Sequence, residues 1–190
     1  RRTEFVGPQV SQELFRDGVF AVLLAIFGIL AYIWFRFEWQ FGLGAIIALS
    51  HDVITTIGIF ALTGLEFNLS TVAAILTIAG YSINDTVVVY DRVRENLRKY
   101  KTMPLPELLN NSINETLSRT VMTSVTTLLA LGSLYVLGGE VIRGFSFGMI
   151  WGVLIGTYSS ICLAVPLLLY LNVDRGTDTS TARTAQESAE

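Results

Sequence analysis

Long uncharged apolar runs separated by short polar links set the pattern of this chain. Residues 19–35 read VFAVLLAIFGILAYIWF, residues 120–139 form a second run, and residues 144–172 a longer third. About 18 or more such residues in a row predict a helix that crosses a membrane. Two further stretches have the length but carry polar residues inside them, His51-Asp52 in one and Asn84-Asp85 in the other. The pattern predicts five spans, at about 19–35, 41–65, 67–90, 117–138 and 144–171. The fold class expected is an all-α, polytopic membrane bundle. Links of a few residues, at 36–40 and at Glu66, make consecutive helices antiparallel neighbours. The fifth span is longer than a bilayer needs and is expected to tilt or protrude, with a bend near Pro166.

The segments outside the spans divide into three. Residues 1–17 lead into the bundle, residues 91–116 form a basic loop, and residues 173–190 are polar, rich in Thr, Ser and Ala, and expected to be disordered. Within the basic loop, Leu105, Leu108, Leu109, Ile113 and Leu117 recur at helical spacing after two prolines. That spacing fits either an amphipathic helix on the membrane surface or a simple extension of the fourth span.

Composition agrees with the pattern. Of 190 residues, 52% are hydrophobic and only 15% charged, against about a quarter in a soluble domain. The mean hydropathy is +0.55. A disordered chain, a disulfide scaffold and most soluble enzymes are excluded. The single cysteine, Cys162, lies in the last run, so neither an internal disulfide nor a cysteine metal cluster can form. No phosphate loop, HExxH motif or nucleophile elbow is present, so the reading is not an enzyme and no cofactor or metal is expected.

The net charge of -3 says little, because the two signs are segregated. Arg36, Arg92, Arg94, Arg98, Lys99, Lys101, Arg175 and Arg183 fall on one side of the five-span scheme. Arg1, Arg2, Arg16 and Arg143 fall on the other. The richer side is expected to be cytoplasmic. The chain then starts outside and ends inside, which with an odd number of spans suggests a helix upstream of Arg1.

Polar residues inside the spans are the main functional clue. An Asp or Arg at a helix centre costs about 2.5–3.5 kcal/mol on insertion scales. Asp52, Asp85 and Arg119 together would cost roughly 10 kcal/mol if charged and facing lipid. They must face the interior, pair, or lose their charge. Asp85 and Arg119 are both placed within roughly 10 Å of the same membrane boundary, which makes them the best candidates for an ion pair. Such a pair is either a proton-binding site or a static lock between two helices. His51 beside Asp52 fits a proton relay or a packing hydrogen bond. Gly144, Gly148, Gly152 and Gly156 form a small-xxx-small ladder, a close-packing face toward this bundle or a second subunit.

These residues sit in segments that resemble the SecD/SecF protein-export family of the resistance-nodulation-division (RND) superfamily, on its SecF side. The resemblance runs from about Val6 to Leu171. It includes Val6-Gly7-Pro8, Val10-Ser11 and Glu13-Leu14, then FRFEW at 35–39 and His51-Asp52. It continues with GYSINDTVVV at 80–89, DRVREN at 91–96, SINETLSRT at 112–120 and GGEVIRGF at 138–145. The family's first transmembrane helix and periplasmic domain are not in this sequence.

The resemblance implies a bacterial inner-membrane subunit that works with SecD. The pair would complete preprotein export through the SecYEG channel after the SecA step, driven by the proton-motive force; YajC is a further possible partner and nucleic acid is not. Asp85 is then the proton-binding carboxylate and Arg119 the charge that tunes it. His51, Asp52 and Asn84 are weaker members of the relay, and protons, or alternatively sodium, are the coupling ion. A proton-driven exporter of lipid or small molecules from the same superfamily is the alternative. The charge asymmetry makes a direct prediction. In intact cells, a membrane-impermeant thiol reagent should label a cysteine at position 66 and leave one at Lys99 untouched; the reverse pattern contradicts the topology.

Overall fold

A computed structural model describes residues 8–65, 68–171 and 173, and in it every long apolar run is a helix. The order is α1 (Pro8–Arg36), α2 (Trp39–Thr63), α3 (Leu69–Lys99), α4 (Leu105–Leu137) and α5 (Gly139–Ser159). A π-helical turn at Ser160–Ala164 then leads into α6 (Val165–Tyr170). Five helices have the length and hydropathy to cross a membrane, α5 to α6 counting as one. The link at Glu66, residues 1–7 and the tail from 174 lie outside the described residues.

Local chemistry sets the helix ends. The Asn68 side chain accepts from the Thr71 backbone N–H at 3.2 Å, closing a capping box at the start of α3. Gly64 ends α2 in the left-handed region, φ 66°, where a side chain would be strained.

The 91–116 segment departs from expectation. It is not a loop: α3 continues to Lys99 and α4 begins at Leu105, so only residues 100–104 are non-helical. The leucine periodicity therefore belongs to an extension of the fourth span. At 31 and 33 residues these helices are roughly 46 and 50 Å long, well beyond a hydrocarbon core of about 30 Å. What holds the extension together is packing of Leu97, Leu108 and Leu109, plus hydrogen bonds from Asn96 to Ser112 and Glu115. An apolar-length criterion stops a helix at the membrane boundary, whereas these contacts carry it past.

α3 and α5 are central, and α1 is peripheral, with Phe20, Phe27, Trp34 and Phe35 exposed along it. Two apolar clusters fill the interior. At the basic end, Phe41 and Tyr90 pack edge to face, 5.2 Å between centroids, with Ile33, Phe37, Val93 and Leu168 around them. At the other end lie Ala74, Ile78, Leu131, Met149 and Val153. The layer between the clusters is polar, and it holds the candidate site.

Glycines let the central pair approach. A Cβ on Gly152 would collide with Ile78, one on Gly148 would stand 2.9 Å from the Phe60 ring, and one on Gly156 3.2 Å from the Ser82 Cβ. The ladder thus faces α3 and the end of α2, within the chain. Gly144 does not join it, because a Cβ there meets nothing within 4 Å.

The contrast yields a prediction. Gly152→Leu should destabilise or misassemble the bundle, by about 1–3 kcal/mol or more, because a side chain fills space already occupied. Gly144→Leu should leave thermal stability in detergent unchanged. Equal melting temperatures for the two variants would contradict this packing.

Candidate functional site

Two carboxylates lie in the polar layer, one on α2 and one on α3. Asp52 is fully buried. Its Oδ2 accepts from Ser82 Oγ of α3 at 2.5 Å and from Ser159 Oγ of α5 at 2.7 Å. Its Oδ1 lies 3.0 Å from His51 Nδ1, and the imidazole is about one third exposed. Asp85 is half-buried. Its Oδ1 accepts from Thr120 Oγ1 of α4, and its Oδ2 from Ser160 Oγ, each at 2.8 Å. Four different helices therefore supply the groups of one layer.

The energies are of matching size. A hydrogen bond to a charged group is worth about 1.5–3 kcal/mol, so two donors offset much of the roughly 2.5–3.5 kcal/mol that a buried Asp costs. The layer continues through Tyr81, whose hydroxyl donates to Ser124 Oγ at 3.4 Å, and through Ser124 and Thr157, 2.6 Å apart.

The π turn lets neighbouring residues serve both acids. Pro166 has no N–H, and its ring opposes the carbonyl four residues back, so a regular helix is disfavoured there. The chain responds with i→i+5 spacing over Ser160–Ala164. Tyr90 donates its hydroxyl to the Ala164 carbonyl at 2.9 Å. Gly44 is required beside it, because a Cβ at that position would strike the Tyr90 oxygen. With the turn anchored, Ser159 reaches Asp52 while Ser160 reaches Asp85. Each serine has a second acceptor on its own helix: the Gly156 carbonyl for Ser159, 3.2 Å, and the Thr157 carbonyl for Ser160, 3.0 Å.

The expected ion pair between Asp85 and Arg119 does not form; among the described residues no ion pair joins them. The reason is helical register. Buried positions of α4 run Leu108, Ser112, Thr116, Thr120 and Ser124, four residues apart, and Arg119 falls off that row. It is exposed instead and lines a cleft at the basic end. Asn84 is also exposed, and among the described residues no hydrogen bond joins it to either carboxylate. His51, Asp52 and Asp85 do share the layer. Ser82, Thr120, Ser159 and Ser160 are not among the residues that membrane cost and spacing single out. For Ser159 and Ser160 the available signal is Pro166, a few residues after the two adjacent serines.

The comparisons with known proteins cover nearly the whole chain. Residues 1–174 match the family described as "Protein export membrane protein SecD/SecF, C-terminal". A "Protein translocase subunit SecF" from Cereibacter sphaeroides is 64% identical over 173 residues, 91% of this chain and 53% of that protein. One from Rickettsia rickettsii is 55% identical over 168 residues, 88% of this chain and 54% of that protein. The crystal structure of SecDF, described as a translocon-associated membrane protein, from Thermus thermophilus, matches with a TM-score of 0.83 and 51% identity. That match covers 87% of this chain and 23% of the other. SecDF in a "Super-membrane-facing form" matches with a TM-score of 0.78 and 46% identity over 97% of this chain and 23% of that one. The chain spans about half the length of the curated relatives it matches. With nearly its whole length matched and its helices superposing on SecDF, this chain belongs to the SecD/SecF family of protein-export membrane proteins, in its C-terminal membrane part.

Proposed function

We propose that this chain is the membrane half of a Sec-translocase subunit that works with SecD. Together they would use the proton-motive force to complete preprotein export through SecYEG after the ATP-dependent SecA step. The observation that carries the reading is Asp85, a half-buried carboxylate held, among the described residues, only by neutral hydroxyls from two other helical segments. A static lock would pair it with a cation. Its neutral partners instead tolerate both protonation states.

The exchange balances without other groups. As a carboxylate, Asp85 accepts from Thr120 and Ser160. When it takes up a proton, its new O–H donates to Ser160 Oγ. The Ser160 hydroxyl proton then turns to the Thr157 carbonyl, which is already within 3.0 Å. Ser159 can make the same turn toward Gly156 when Asp52 is protonated by the part-exposed His51 imidazolium, which is left as neutral imidazole. Protonation thus replaces charge-assisted bonds that tie Ser159 and Ser160 to α2 and α3 by weaker neutral ones. Arg119 sits one residue, about 100° of rotation, from Thr120. Turning α4 toward Asp85 would exchange a neutral donor for a charged one and favour release of the proton. A proton crossing about 100 mV releases roughly 2.3 kcal/mol, enough to bias two bundle states a few kcal/mol apart.

Asp85→Asn should fold and assemble normally, because no buried cation is left uncompensated. Export in membrane vesicles holding equal amounts of wild-type and variant complex should fall to the level seen without a proton-motive force. Ser160→Ala should give an intermediate loss. Full proton-dependent export by a well-folded Asp85→Asn complex would leave this carboxylate no part in coupling.

A further inference from the structure

At the basic end of the bundle, α1, α3 and α4 enclose a cleft of about 730 Å³. Six cations and three carboxylates line it, and the charges do not cancel. Arg36 takes Asp91, at 3.1 Å, and Arg92 bridges Glu95 and Glu115. All three acids are thereby engaged by two arginines. Arg94, Arg98, Lys99 and Arg119 have no carboxylate within ion-pair distance among the described residues. Arg94 also has a buried Nε with no hydrogen-bond partner there.

Depth narrows the ligand. Val87 and Val88 form part of the cleft wall, on the side toward the apolar bundle. Trp34, Phe35 and Trp39 flank Arg36 and are exposed, at 75%, 94% and 59%. Aromatic residues of this kind gather where the hydrocarbon meets the headgroups. A basic, partly apolar cleft between helices at that level suits a phosphate attached to acyl chains. Forked guanidinium groups also match phosphate oxygens in geometry.

We propose that this cleft binds the phosphate headgroup of an anionic phospholipid, through Arg94, Arg98, Lys99 and Arg119. The lipid would sit across the α3–α4 hairpin and screen the four like charges that this end of the bundle concentrates. The site shares Arg119 with the proton-coupling reading, while Arg94, Arg98 and Lys99 carry it independently of Asp52 and Asp85. Phosphate is the shared chemistry; the acyl chains are what distinguish a lipid from the free ion.

The test uses the full-length subunit carrying this chain, purified in mild detergent, with lipid adducts titrated by native mass spectrometry. Phosphatidylglycerol should bind saturably and phosphatidylcholine weakly, and millimolar inorganic phosphate should not displace the former. Arg98→Gln with Lys99→Gln, both at exposed positions, should weaken phosphatidylglycerol binding by roughly 25-fold, about fivefold per charge. Should the double variant misassemble, each single variant should show its own fivefold loss. Arg16→Gln, at the opposite end of the bundle, should change nothing. Equal binding of the two lipids, or equal losses for Arg16→Gln and the cleft variants, would overturn the proposal. Displacement by inorganic phosphate would assign the cleft to a soluble anion and overturn it as a lipid site.

Discussion

Two carboxylates inside a membrane bundle must be matched by donors, and much of this structure follows from how that is done. The donors are hydroxyls. Asp52 and Asp85 stand on different helices, and the adjacent Ser159 and Ser160 reach both of them. That reach needs α5 close against α3, which Gly148, Gly152 and Gly156 allow. It also needs a wider turn at the serines, which the π-helical segment before Pro166 supplies. Glycine ladder, proline and serine pair are parts of one arrangement.

Neutral donors have a further consequence. Because Asp85 does not consume Arg119, that guanidinium is free for the cleft at the basic end. The molecule thus keeps its buried acids and its exposed cations unpaired with one another rather than cancelling them. Apolar clusters above and below the polar layer confine it. A hydroxyl that moves from carboxylate to backbone carbonyl shifts the helix-to-helix bonding with little change in packing elsewhere. Such a layer can have two bonding patterns at similar energy.

The parts legible in the sequence were those governed by sums over many residues. Five apolar runs gave five spans, and the cost of Asp52 and Asp85 in lipid marked both as interior. What depended on rotation about a helix axis was harder to read. Depth alone placed Arg119 beside Asp85, but the four-residue row through Thr116 and Thr120 turns it away. Ser159 and Ser160 look like ordinary packing hydroxyls until the i→i+5 turn brings both to acids. The charges of 91–116 end the hydropathy and mark a loop with helical spacing only from Leu105, whereas Asn96, Ser112 and Glu115 hold α3 and α4 as a helical hairpin. Gly144 shares the ladder's spacing but lies beyond the reach of α3.

The central claim is that Asp85 exchanges a proton while Ser160 changes partner. Infrared difference spectroscopy of the full-length subunit in lipid, recorded across pH, reads this directly through the carbonyl band of a protonated carboxyl group. The account predicts a band that appears as pH falls, vanishes in Asp85→Asn, and shifts in frequency in Ser160→Ala. A titrating band untouched by both substitutions would contradict it.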